Sequence, residues 1–249
     1  MSRIRWRRIL AVTLVIVLIV GVIGFIWFAS PQQVLPEADA ALISTADVAV
    51  TQAGGTITMT PSSGADSGFI LYPGAKVPPA GYAVPARAIA AQGFLVVIPS
   101  MPLNFAVLNA DAASGIISQH PEITTWAIGG HSLGGAMAGQ FVATHPDAVD
   151  GLVLWAAYTA SDTSTSGVDA VVLYGSLDSG AAKISSSEYT ALLPPNTPIV
   201  EIEGGNHANF GSYTGQPNDP PATISREEQQ ARAVADTVAL LQAISSESN

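Results

Sequence analysis

The chain contains no cysteine among its 249 residues. This absence excludes disulfide bonds, a thiolate nucleophile, cysteine-ligated metal sites and a lipid-modified cysteine anchor. It does not decide the compartment, because a domain with a large enough core folds outside the cytoplasm without disulfides. With 48% hydrophobic residues, the chain can build such a core.

Basic residues are also scarce. Only five lysines and arginines follow residue 8, against nineteen aspartates and glutamates, which gives this part of the chain a net charge of −14. Nucleic acids and anionic lipid surfaces repel a protein of this charge. We therefore expect no nucleic-acid partner for this part of the chain.

The first 30 residues differ from the rest in charge and hydropathy. Four arginines within residues 3–8 precede an uncharged apolar run over residues 9–28. A helix of this length spans about 30 Å, the thickness of the hydrocarbon core, so the run predicts a single transmembrane helix. The arginines predict a cytoplasmic N-terminus, with the following domain across the membrane. A secretory signal peptide cleaved near residues 28–30 is the alternative, although its apolar region would typically be only about 7 to 15 residues long.

The sequence divides into three parts. Residues 1–30 form the predicted anchor. Residues 31–46 contain Pro31, Pro36 and scattered polar side chains, which is typical of a linker. A single folded domain is expected over residues 47–249.

Short apolar runs alternate with longer helical segments in this domain. The runs are continuously apolar, which is typical of strands covered on both faces. Alternation of strand and helix predicts an α/β fold with a doubly wound, mainly parallel sheet. After a hairpin at residues 48–60, strands are predicted at 69–72, 94–99, 126–129, 152–156, 171–174 and 199–202, and helices at 82–92, 105–119, 133–144 and after Ser225.

The most informative motif is GHSLG at residues 130–134. A G-x-S-x-G sequence between a strand and a helix is typical of a sharp turn that exposes a serine hydroxyl at the edge of a sheet. Ser132 is therefore a candidate nucleophile. A serine hydroxyl needs a base to accept its proton and a third group to orient that base.

His207 is the candidate base. It lies in GGNHAN at residues 204–209, directly after the last predicted strand, where a loop reaches the edge of the sheet that binds ligands. A histidine in a glycine-rich loop is more often an ordinary surface residue, but the upstream serine motif favours the catalytic interpretation. His120 and His145 each precede a proline at a predicted helix end, where they interact with exposed carbonyl groups. His131 should point away from the serine hydroxyl.

Asp178 is the candidate orienting carboxylate, because it follows the strand that ends at Tyr174. An ordinary turn aspartate is the alternative interpretation. Asp162 and Asp169 are rivals, but Asp162 follows the preceding strand and Asp169 enters its strand from the wrong end. The order nucleophile, acid, base along the chain favours Asp178.

Four motifs in this order resemble the α/β-hydrolase superfamily, and in particular a bacterial branch described as the α/β-hydrolase fold-5 group. They are YPGAKV at 72–77, GHSLG at 130–134, YGSLD at 174–178 and GNHANFG at 205–211. The resemblance covers residues 47–244. Dienelactone hydrolases are relatives by fold, but they typically carry a cysteine nucleophile, which this chain lacks.

The resemblance also implies an oxyanion hole. One donor is expected to be the N–H of Leu133, and the other the N–H of Gly74 or Ala75. A Pro-Gly turn chosen only for its backbone shape is the alternative for the second loop.

Together with the predicted anchor at residues 1–30, these motifs predict a membrane-anchored serine hydrolase. It would cleave carboxylic esters through an acyl-enzyme, with a small-molecule ester as substrate. Only residues 157–168 could form a lid, and they are too few for a helical cap, so the cleft should be open to small or accessible esters. An envelope acyltransferase on the same fold and a catalytically silent binding protein are the alternatives. We expect no cofactor, and the histidines and carboxylates show no metal-ligand spacing.

Overall fold

A computed structural model describes residues 3–216 and 218–247. The chain forms two compact units, Met1–Pro31 and Gln32–Asn249. In the first, helix α1 extends over Arg3–Ala29. Within the described part of the chain, we find no helix whose length and apolarity suffice to cross a membrane. The predicted transmembrane run lies within α1, but the side chains of residues 9, 23 and 25–28 are outside the described part, and the span stays a prediction.

The second unit is built on an eight-stranded sheet with the order β1-β2-β4-β3-β5-β6-β7-β8. β1 and β2 form the predicted hairpin, and β2 pairs antiparallel with β4. All remaining pairs are parallel. The predicted sheet is thus confirmed. The strands are β1 (Val48–Ala53), β2 (Thr56–Pro61), β3 (Ser67–Tyr72), β4 (Leu95–Ile98), β5 (Thr125–His131), β6 (Gly151–Trp155), β7 (Asp169–Gly175) and β8 (Ile199–Ile202).

Helices cover both faces of this sheet. They are α2 (Glu37–Ala41), α3 (Ala83–Ala90), α4 (Ala112–Gln119), α5 (Leu133–Thr144), α6 (Ala181–Ile184), α7 (Ser187–Thr190) and α8 (Arg226–Glu247). Alternate side chains of β3 enter opposite cores: Phe69 and Leu71 pack with α3 and α8, whereas Ile70 and Tyr72 pack with α4 and α5. Burial on both faces explains why the strands are continuously apolar.

Two predicted segments differ from the structure. Residues 105–119 were expected to be one helix, but α4 begins only at Ala112, and two 3-10 turns precede it. Phe105 (φ −124°, ψ 111°) and Asn109 (φ −156°, ψ 58°), both inside the predicted segment, have backbone angles that an α-helix does not accept. The linker was predicted over residues 31–46, and its residues 32–46 pack against the domain. Ala38 and Ala41 of α2 are buried, because this short amphipathic helix covers part of the core.

The carboxyl ends of the parallel strands lie along one edge of the sheet. The loop after β3 carries Gly74, and the turn after β5 carries Ser132. The loops after β7 and β8 carry Asp178 and His207. Parallel pairing therefore brings four distant segments of the chain to a single edge, as expected for this type of sheet.

Candidate active site

Ser132 lies at the turn between β5 and α5 with φ 53° and ψ −120°. This left-handed backbone conformation is costly for a residue with a side chain and persists only where the surroundings fix it. The Ser132 N–H donates to the Trp155 carbonyl at 2.9 Å, and its carbonyl accepts the Ala136 N–H at 3.1 Å. These bonds hold the strained turn that the sequence motif predicts.

Two glycines allow this turn to form. A Cβ atom on Gly130 would lie 2.3 Å from the carbonyl carbon of Gly134, and one on Gly134 would lie 2.1 Å from the Tyr72 oxygen. Both separations are far shorter than a van der Waals contact, and the obstructing atoms belong to the backbone. Gly134 therefore lets the start of α5 approach the end of β3, and Gly130 lets the start of α5 fold back against the end of β5.

Gly134→Ala tests this packing. We expect the free energy of unfolding to fall by about 3 kcal/mol, because the methyl group must displace β3 or α5. Gly115→Ala is the matched control, since Gly115 is exposed in α4 with no atom near its added Cβ. That substitution should raise the free energy of unfolding by up to about 1 kcal/mol through helix propensity. Denaturant titration measures both, and equal effects would contradict the packing argument.

Asp178 and His207 form a hydrogen-bonded pair, in which Asp178 is buried and His207 is partly buried. The Asp178 Oδ2 atom accepts a hydrogen bond from Nδ1 of His207 at 2.8 Å, and its Oδ1 atom accepts the Gly180 N–H at 2.7 Å. Only 1% of the Asp178 side chain is exposed. A carboxylate accepts but does not donate, so Nδ1 carries a hydrogen, and the neutral ring has its lone pair on Nε2.

The two rival aspartates lie elsewhere. Asp162 is exposed and accepts hydrogen bonds from the Ser164 hydroxyl and N–H groups. Asp169 begins β7, at the opposite edge of the sheet. Neither of them contacts His207 among the described residues.

The backbone of His207 is also fixed. Its N–H donates to Oδ1 of Asp219 at 3.2 Å, while the adjacent Ala208 N–H donates to Oδ2 at 2.7 Å. Its carbonyl accepts a hydrogen bond from Nε2 of His131 at 2.9 Å. With Nδ1 held by Asp178, Nε2 is the one polar atom of His207 that makes no hydrogen bond within the described residues.

Ser132, Asp178 and His207 line one cavity of about 360 Å³. No hydrogen bond joins the Ser132 hydroxyl to His207 in the part of the chain that the structure describes. Such bonds are often long in ligand-free enzymes and tighten with substrate. Small and apolar side chains form much of the remaining wall, and polar side chains form the rest; they are Leu133, Ala136, Ala156, Ala157, Tyr158, Ser179, Ile184, Gln216, Asn218 and Asp219.

Several of these residues were missed by the sequence analysis. Ile184 lies in α6, and Asp219 follows a long irregular segment after the last strand. The sequence shows no motif at these positions. Only their position in the segments that follow β7 and β8, at the carboxyl edge of the sheet, could have indicated them.

The predicted oxyanion donors are not equivalent. Leu133 is the first residue of α5, so its N–H has no acceptor inside the helix. The Gly74 N–H already donates to the Tyr82 hydroxyl at 3.0 Å. The Ala75 N–H makes no hydrogen bond with another described residue. Of Gly74 and Ala75, Ala75 is therefore the stronger candidate, because its N–H is available to an oxyanion.

His131 is buried behind the turn, with 1% of its surface exposed. Its nitrogens contact the Tyr82 hydroxyl and the His207 carbonyl instead of the Ser132 hydroxyl. Burial, followed by the nearby His207 imidazole, lowers the pKa of His131 well below its ordinary value. His131 is therefore neutral in the folded protein.

This shift in pKa predicts how acid affects stability. Below about pH 6.5 the unfolded chain binds a proton at His131 that the folded protein does not, so the free energy of unfolding falls by up to about 1.4 kcal/mol per pH unit. His131→Gln should lack this contribution and show a shallower decline between pH 7 and 5. Denaturant titrations of both proteins across this range measure it. Identical slopes would contradict the lowered pKa.

The remaining histidines have local partners. Nδ1 of His120 lies 2.9 Å from Oε1 of Glu122, and the His145 ring stacks on Phe141 with centroids 4.6 Å apart. Both lie at helix ends. Within the described residues, no group of three or more histidine or acidic side chains could hold a metal ion.

Residues 68–231 match the model of the alpha/beta hydrolase family. The chain belongs to this family. A search of curated proteins gave no match. Membership agrees with the mainly parallel sheet and supports a hydrolytic or related function.

Proposed function

We propose that this α/β hydrolase is a serine hydrolase that cleaves carboxylic esters, with Ser132 as nucleophile, His207 as general base and Asp178 as the carboxylate that orients it. The observation that carries the proposal is the fixation of His207. Its Nδ1, N–H and carbonyl groups are all hydrogen-bonded, which leaves Nε2 as its available proton acceptor beside the cavity of Ser132.

The reaction follows from these roles. His207 Nε2 accepts the hydroxyl proton as Ser132 Oγ attacks the ester carbonyl, and Asp178 stabilises the imidazolium that forms. The Leu133 and Ala75 N–H groups are the proposed donors to the oxyanion, where loss of one donor typically costs about 3 kcal/mol. His207 then protonates the leaving alcohol, and the ester acyl group stays on Ser132. A water molecule, deprotonated by His207, then attacks the acyl carbonyl, and His207 returns this proton to Ser132 Oγ as the acid is released.

The shape of the cavity supports a small acyl group. Ala136, Ala156 and Ala157 line it, and a volume of about 360 Å³ lies at the lower end of ligand pockets. We propose esters with short acyl chains as the substrate class. A series of p-nitrophenyl esters of increasing acyl length is the appropriate first screen.

Substitution of the three residues tests the proposed function. Ser132→Ala should abolish p-nitrophenyl acetate hydrolysis and labelling by a fluorophosphonate probe. Asp178→Asn should lower kcat by about 10³- to 10⁴-fold, because the amide favours the wrong histidine tautomer. Asp162→Asn is the matched control and should retain wild-type kcat, since Asp162 is exposed and its side chain, within the described residues, is hydrogen-bonded only to Ser164.

The outcomes separate the alternatives. Hydrolysis that survives in Ser132→Ala would remove the proposed function. A folded wild-type protein that neither labels nor hydrolyses would be a binding protein on a hydrolase fold. Ester products that appear only when an acceptor alcohol is added would instead indicate an acyltransferase.

Membrane attachment through the N-terminal segment is a separate part of the proposal. The arginines of residues 3–8 and the uncharged run of residues 9–28 support it, with the hydrolase domain on the extracytoplasmic side.

Fractionation of cells tests the attachment. The full chain should sediment with membranes at alkaline pH and dissolve in detergent, and protease added to intact cells should degrade the domain. Protection from protease would contradict the orientation. A shortened soluble protein beginning near residue 30 would instead indicate a cleaved signal peptide.

A further inference from the structure

A buried chain of hydrogen bonds connects three segments of the site behind Ser132. Gly74 N–H lies 3.0 Å from the Tyr82 hydroxyl, which lies 2.7 Å from Nδ1 of His131. Nε2 of His131 lies 2.9 Å from the His207 carbonyl oxygen. We call these three bonds the buried relay. It joins the proposed oxyanion loop to the proposed base through the residue that precedes the nucleophile.

The direction of every bond in the relay is determined. The His207 carbonyl can only accept, so the hydrogen of the neutral His131 ring is on Nε2. Nδ1 then accepts, and the Tyr82 hydroxyl donates to it. The Tyr82 oxygen is left to accept the Gly74 N–H. Burial also raises the pKa of Tyr82 well above its ordinary value, so the phenol keeps the proton that the relay needs.

Packing independently holds the same groups together. A Cβ atom on Gly74 would lie 2.7 Å from Nδ1 of His131 and 2.9 Å from the Tyr82 hydroxyl, so the loop rests directly on the relay. The His131 ring stacks on Phe210, with centroids 5.8 Å apart, and lies 4.7 Å from the His207 ring. The side chains of the relay therefore have little freedom to take another arrangement.

We propose that Tyr82 and His131 are positioning residues that fix the oxyanion loop and the base relative to Ser132. This inference rests on the proposed function. At one end the relay fixes the Gly74 backbone, and the following peptide unit carries the Ala75 N–H. At the other end it fixes the backbone of His207, whose ring is held by Asp178. Neither positioning residue touches the substrate, so its loss should act on the transition state more than on binding.

Tyr82→Phe is the decisive substitution, because it removes the hydroxyl and keeps the ring. We expect kcat for p-nitrophenyl acetate to fall about 10- to 100-fold, the cost of a small misplacement of catalytic groups. KM should change little, since only transition-state stabilisation is lost. Tyr213→Phe is the matched control. Its ring lies 6.3 Å from that of Tyr82, and its buried hydroxyl has no hydrogen-bond partner among the described residues, so kcat should be that of the wild type.

The proposed positioning role is overturned if Tyr82→Phe keeps wild-type kcat. It is also overturned if Tyr213→Phe loses as much activity as Tyr82→Phe. Should Tyr82→Phe not fold, His131→Leu provides the same test, because its alkyl side chain makes neither of the two hydrogen bonds of the His131 ring. A lower kcat at unchanged KM then supports the relay, and wild-type kcat overturns it. Ser132→Ala, measured in parallel, separates the two proposals: activity that survives in it removes the proposed function itself.

Discussion

Contact between the start of α5 and the end of β3 is the constraint on which the candidate site depends. It requires glycine at position 134, and the return of α5 against β5 requires glycine at position 130, because backbone atoms occupy the space that a Cβ would need. With these glycines, the chain reverses directly after β5, and Ser132 adopts its strained backbone at the edge of the sheet. Folding energy from a core on both faces of the sheet outweighs the cost of this strain. The turn can then be rigid without any contribution from substrate.

The proposed base depends on longer connections. His207 belongs to an irregular segment and is not part of a strand or an α-helix. Three hydrogen bonds from separate segments replace such support, through Asp178, Asp219 and His131. Gln229 of α8 adds to this by bonding both backbone groups of Asn206, at 3.0 Å and 2.7 Å. The C-terminal helix thus contributes to the site although it lies outside the cavity.

Local patterns in the sequence predicted most of the scaffold, and long-range contacts explain what they missed. Both α5 and β8 begin and end where the sequence predicted, over residues 133–144 and 199–202. The relay could not be predicted in the same way, since Tyr82 and His131 are 49 residues apart and Tyr82 lies in a short 3-10 turn. One signal was available: a histidine in a strand that is otherwise covered on both faces must find buried partners. The sequence gives no indication of which residues those are.

The neutral state of His131 has a consequence for the proposed chemistry. His207 becomes positive when it takes the serine proton, and its ring lies 4.7 Å from that of His131. A second positive charge at this distance would oppose that step, in a region where little water screens it. Burial keeps His131 uncharged, so the ionised groups that contact His207 directly are the Asp178 and Asp219 carboxylates, both of which favour the imidazolium. The relay can therefore position the base through dipoles alone, without raising the cost of charging it.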